Sequence, residues 1–180
     1  MISKRYDDDG SEIDSLEIDR LLNVAAGYRN DRDAAGHITI IFAVMCLEAI
    51  INHYAITLSS KKYLVNYLDK LDLKSKWIII PKLLSNIDFN RDSQAFEFLD
   101  AVLTLRNDLV HYKSRVVKYT FEEKDNISIE EDKLVSGVKN SIKAMICVIE
   151  ELHRIDPKWK EYKWYLQSQK DSPDLISFIQ

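Results

Sequence analysis

One stretch constrains the fold more than any other. Residues 38–58 read ITIIFAVMCLEAIINHYAITL and place apolar side chains on nearly every side of a helix. A helix of that kind is either the centre of a bundle or a membrane span. About 20 residues are enough to cross a bilayer. Glu48, Asn52 and His53 at the middle would make the crossing costly, and no basic cluster flanks the segment. The expected element is the central helix of a bundle, with no membrane partner.

The remaining sequence agrees with an all-α fold. Four glycines and three prolines in 180 residues cannot supply the turns of a many-stranded sandwich or barrel. The length suits one domain. Four to six antiparallel helices are expected, organised as an acidic N-terminal segment (1–36) with a helix ending at Gly27 or Gly36, a helical core (37–156), and an aromatic and basic tail (157–180). A short helix is expected over 61–71. Pro81 starts or kinks the second part of the next one. Ser93 is the expected N-cap of a helix running to about Lys113. Residues 115–129 read either as a small β-hairpin, with RVVKYTF and ISI as its strands, or as a plain excursion. Ser128 and Glu131 have the spacing of a capping box ahead of a long helix that should stop before Pro157.

The net charge of −4 is uneven: residues 1–36 hold nine acids and five bases, and the remainder holds twenty of each. Coating of nucleic acid along a broad basic surface is excluded, so any nucleic-acid contact must be local. Cys46 and Cys147 sit in apolar helical stretches and read as buried small hydrophobes. The polar, acidic residues 1–10 lack the apolar core of a secretory signal, so a cytoplasmic location is expected.

Several chemistries have no carrier here. No glycine-rich phosphate loop and no CxxC pair occurs. Glu150 and His153 have the ExxH spacing of di-iron bundles, but those sites need the motif twice, with further carboxylates. No metal site and no cofactor is expected.

Residues 105–113, LRNDLVHYK, stand apart. At about 100° per residue, Arg106 falls at the centre of a face shared with Val102, Leu103, Leu109 and Val110. A guanidinium there keeps its charge and needs a partner or a cleft. Asn107 and His111 share the neighbouring face one turn apart. An Arg, Asn and His so grouped suit metal-free chemistry on a phosphodiester: the arginine stabilises phosphoryl charge, and the histidine moves protons near neutral pH. The plainer alternative is a structural ion pair between Arg106 and Glu48, with His111 merely stabilised at a helix C-terminus.

The string RNDLVH, Arg then a polar residue and His five positions on, resembles the signature of the HEPN superfamily. EAIIN (Glu48 to Asn52) resembles the first core helix of such domains, and KSKWIIIPKLL followed by LRNDLVHYK is similar to bacterial HEPN-like proteins. The resemblance spans roughly residues 38–155. It implies an all-α domain and, for catalytic members, a metal-independent endoribonuclease of the toxin or defence kind, working as a homodimer with two motif copies lining one cleft. Arg106 and His111 would then be catalytic, with Asn107 in support. The resemblance equally admits a non-catalytic module that dimerises and binds protein or nucleotide. Expected partners are a second copy, RNA, and an antitoxin or other protein.

Secondary candidates follow. Glu48 and Asn52, one turn apart, would orient Arg106 from the central helix. Lys113 and Arg115 would touch an RNA backbone. Trp159, Tyr162, Trp164 and Tyr165, interleaved with Lys158, Lys160 and Lys163, read as a seal on the bundle's end or as a base-stacking platform. His37 and His53 have no motif near them in the sequence and read as structural or incidental.

Overall fold

The computed structural model describes residues 15–111 and 123–159, together with Gln167 and Asp171, and gives side chains from residue 16 to 111 and from residue 132 onward within those stretches. The regular structure of the described residues is entirely helical and contains no strand. They are α1 (Ser15–Leu58), a short turn α2 (Lys61–Tyr63) running into a π-helical turn (Leu64–Leu68), α3 (Leu73–Ser85), α4 (Gln94–Val110) and α5 (Glu123–Ile155). The all-α expectation therefore holds. Two compact units are distinguished, Met1–Ala35 and Gly36–Gln180.

Each boundary has a local cause. Ser60 caps α2, its side chain accepting from the Tyr63 amide at 3.1 Å. Asp72 caps α3, with Oδ1 accepting from the Ser75 amide at 3.0 Å and Oδ2 from the Ser75 hydroxyl at 2.6 Å. Asn86 ends that helix in the left-handed region at φ 57°, a conformation asparagine tolerates well. Ser93 caps α4 as the sequence predicts. That helix ends at Val110, with His111 as its C-cap.

Three expectations are corrected. Gly27 and Gly36 do not end a helix, since α1 runs through both. A glycine inside a helix costs only about 1 kcal/mol relative to alanine, and at Gly36 the missing side chain admits Leu134, whose side-chain carbons would lie 3.1 Å from an added Cβ. Residues 124–129, expected to lie in a hairpin or a plain excursion, belong instead to α5, which starts ahead of the Ser128 capping box. The first strand of that hairpin lies outside the described residues. Cys46 is exposed rather than buried, while Cys147 is half-buried and packs against the core. Burial pushes the Cys147 thiol up, as does the Glu150 carboxylate beside it.

The core is built from one face of α1 (Ile40, Leu47, Ile51, Tyr54), Trp77 and Ile80 of α3, Leu99 and Val102 of α4, and Val148, Leu152 and Ile155 of α5. α4 and α5 approach closely at Gly137, where an added Cβ would sit 2.4 Å from the Leu105 side chain. This contact fixes the helix that carries the RNDLVH string. Trp159 is buried and meets the Tyr54 ring edge-on at 6.0 Å, which favours the seal for this one aromatic. Tyr162, Trp164 and Tyr165 lie outside the described residues.

α1 is the one described helix long and apolar enough to cross a membrane; in its most apolar window, of mean hydropathy 2.1, 33% is buried. Its opposite face leaves Ile38, Phe42, Met45 and Ile56 exposed, spaced so that they share one stripe. Within the N-terminal unit, Leu16, Leu21, Leu22, Val24 and Tyr28 are exposed as well.

Two carboxylates tie loops to helices. Glu151 of α5 accepts from the Asn90 amide at 3.1 Å and pairs with Arg154 at 2.7 Å. Burial raises its carboxyl, but the Arg154 hydrogen bonds and the Asn90 amide more than reverse this and leave it below the usual range. Hydrogen bonds from the Ser75 hydroxyl and amide lower Asp72 similarly. Stability from both is present above the unfolded carboxylate values near pH 4 and is lost as pH falls through the lower folded values. Asp72→Ala should cost about 1 kcal/mol at pH 7. The difference from wild type should shrink toward zero in urea melts taken through pH 4 to 2. A difference that stays constant over that range would remove the capping account.

Candidate functional site

Arg106 and Asn107, near the end of α4, open onto a pocket of about 420 Å³. Glu48 of α1 lines the same pocket, as do Asp72 and Lys74 at the start of α3 and Asp100 of α4. Three helices thus supply the charged groups. Of the expected Arg106, Asn107 and His111, the first two line this pocket, together with Glu48, the expected support for Arg106.

The expected ion pair between Arg106 and Glu48 is not formed. Glu48 Oε1 accepts instead from Lys76 Nζ at 2.8 Å. Lys76 is 1% exposed, while Glu48 is 48% exposed. Asp69 is a second, more distant acid at 3.8 Å from the same ammonium. The reason is positional. Lys76 sits beside Trp77 and one turn ahead of Ile80, both fully buried, so packing α3 carries its charge inward. A buried ammonium requires a carboxylate, and Glu48 provides it.

Arg106 consequently pairs with no acid among the described residues. It is half-buried, and its hydrogen bond among the described residues runs from Nη1 to Asn107 Oδ1 at 3.1 Å. Lys74, by contrast, is paired with Asp100 at 2.6 Å and lies 5.2 Å from the centre of the Phe96 ring. Among the described pocket-lining cations, Arg106 alone carries an uncompensated charge.

His111 is exposed at the end of α4 and does not line the pocket; its amide donates to the Asn107 carbonyl at 2.9 Å. Asn52, expected to support Arg106, does not line it either. Its Oδ1 is buried without a hydrogen-bond partner among the described residues. Lys113 and Arg115 lie outside the described residues. His37 and His53 are exposed. Glu150 is exposed and His153 half-buried, and no three His, Cys, Asp or Glu side chains among the described residues are grouped to hold a metal ion.

Sequence reasoning missed Lys76, and the signal was present. The helical-wheel argument that singled out Arg106 applies equally to a lysine one turn before Ile80 in KSKWIII. Lys74, Asp72 and Asp100 gave no signal, because their meeting depends on how α3 and α4 pack.

A second and more open groove, of about 600 Å³, follows α4 past Phe96 and Leu105. Its charged residues are Asp92, Glu97, Asp100 and Asp108 against Arg91, a balance that repels anions. An anionic ligand is therefore better served at Arg106. Neither a protein-family model, a curated protein nor a solved structure matches the chain.

The ion-pair arrangement has a direct test. Arg106→Ala strands no buried acid and should change stability by less than about 1 kcal/mol. Glu48→Ala leaves Lys76 buried with only Asp69 nearby, and should cost about 2–4 kcal/mol. Denaturant melts of the two variants would separate them. A larger loss for Arg106→Ala than for Glu48→Ala would restore the arginine to a structural role.

Proposed function

We propose that this chain is a metal-independent endoribonuclease of HEPN type, acting in the cytoplasm as a toxin or defence protein. The observation that carries the reading is the uncompensated Arg106 guanidinium in a pocket, beside Asn107 and within the RNDLVH string. An RNA phosphodiester brings the anion this pocket lacks. The RNA 2′-hydroxyl attacks the adjacent phosphorus, and the P–O5′ bond breaks. The products are a 2′,3′-cyclic phosphate and a 5′-hydroxyl. Arg106 stabilises the charge that builds on the phosphorane oxygens. Asn107 holds the guanidinium in place through its Oδ1.

His111 takes or delivers the proton. In a single chain it stands at the helix end, outside the pocket lining. A two-fold dimer of the kind the resemblance implies resolves this, since His111 of the partner subunit would then face Arg106 across a shared cleft. An antitoxin or other protein partner belongs to the same reading.

A second reading is favoured by a specific observation. The exposed stripe of Ile38, Phe42 and Met45 on α1 is the kind of apolar surface that binding modules present. A non-catalytic helical module that dimerises and binds protein or nucleotide would use that stripe and need no chemistry at Arg106.

Incubation of RNA with the protein in EDTA decides between them. Wild type should cleave and leave cyclic phosphate ends, while His111→Ala and Arg106→Ala should each lose about 100-fold or more in rate. Equal cleavage by wild type and His111→Ala would rule out the histidine. No cleavage by any form, together with a dimer that Phe42→Asp dissociates in sedimentation, would establish the module.

A further inference from the structure

We propose that the Arg106 pocket selects guanine nucleotides, with Glu48 accepting the guanine base edge and Arg106 holding the phosphate. The proposal deepens the RNA reading and rests on it for the phosphate contact at Arg106.

The argument begins with Lys76. Burying an ammonium is costly, and here its partner is not buried with it: Lys76 is 1% exposed and Glu48 is 48% exposed. The pair therefore fixes a carboxylate at the edge of a pocket from behind. Oε1 takes the lysine hydrogen bond, and Oε2 accepts none among the described residues. A carboxylate has about four lone-pair sites, so Glu48 can still accept two parallel bonds. Preorganisation of this kind is what selective recognition requires.

The other acids of the pocket are less suited. Asp72 spends both oxygens on Ser75 at the start of α3. Asp100 is 51% exposed and paired with a lysine that is itself 40% exposed, so neither partner is anchored by burial.

The apolar lining, Val44, Leu71, Leu73 and Leu103, suits the faces of a base. A volume of about 420 Å³ is adequate for one nucleotide. A carboxylate facing a base edge discriminates by its donors. Guanine presents N1–H and the N2 amino group side by side, a bidentate match to Glu48. Adenine and cytosine each present one amino group beside an unprotonated ring nitrogen, which a carboxylate repels. Uracil presents a single N3–H between two carbonyls. The phosphate joined to the same nucleoside answers Arg106, the cation of the pocket that has no acid partner among the described residues.

Calorimetric titration of the full chain with the four nucleoside 5′-monophosphates tests this. GMP should bind at least about tenfold more tightly than AMP, CMP or UMP. Glu48→Gln, which sets an amide donor against the guanine donors, should abolish the preference. Arg106→Ala should weaken all four by a similar factor and preserve the preference. Guanosine, without a phosphate, should bind wild type and Arg106→Ala alike. If Glu48→Gln loses its helical circular dichroism, the double variant Glu48→Gln with Lys76→Met removes the stranded ammonium and takes its place, with the same expected loss. GMP binding no tighter than AMP, or a preference that survives loss of the Glu48 carboxylate, overturns the proposal.

The 2′-O-methyl trinucleotides AGA and AAA separate the two sources of guanine. A preference for AGA assigns the site to a guanosine within RNA, whereas a preference confined to GMP assigns it to the free nucleotide. Equal binding in both comparisons overturns it. RNA cleavage without guanine preference sinks this proposal alone, and guanine preference without cleavage sinks the nuclease reading alone.

Discussion

The buried ammonium of Lys76 organises the charged half of this molecule. Trp77 and Ile80 draw α3 into the core, and the lysine beside them cannot stay in water. Its charge is met by Glu48 at 2.8 Å, which ties α3 to α1. That pairing has a second effect. It uses the acid that Arg106 would otherwise have engaged, and so leaves the arginine's charge facing a pocket. An ion pair set by packing thus decides which cation is available to a ligand.

Helix α1 serves two environments at once. One face, with Ile40, Leu47, Ile51 and Tyr54, is sealed in the core, while Ile38, Phe42 and Met45 on the other are exposed. An all-round apolar helix in a sequence predicts burial on every side, and this helix is covered on one. The spare apolar surface and the spare positive charge lie on different helices, α1 and α4. A surface for association and a pocket for an anion can therefore be altered separately.

Much of the fold was legible because the signals were local. Ser93 as a cap and the stop before Pro157 depend on hydrogen bonds within a few residues, and sequence carries those directly. Readings that failed had tertiary causes. Gly36 looks like a terminator until Leu134 is found against it. The β-prone residues Ile127 and Ile129 belong to the long helix α5, where propensity is overridden by context. The site divides the same way. Arg106 and Asn107 were visible as neighbours on one helix, whereas the choice of Lys76 over Arg106 as the partner of Glu48 is a matter of packing. His111 shows a further limit: helical spacing gives the angle between two side chains but not which of them a pocket reaches.

The acidic character of the chain is no obstacle to an anionic ligand. At physiological ionic strength, exposed charges more than about 8 Å apart are largely screened from one another, so a net charge of −4 with its excess in residues 1–36 says little about the field inside one pocket. Local pairing says more. Glu48 is offset by Lys76 and Asp100 by Lys74. Asp72 caps α3, where the positive end of the helix dipole offsets it. With each acid compensated by a group of its own, the field in the pocket is that of Arg106, and a phosphate entering it meets a guanidinium without displacing a carboxylate first.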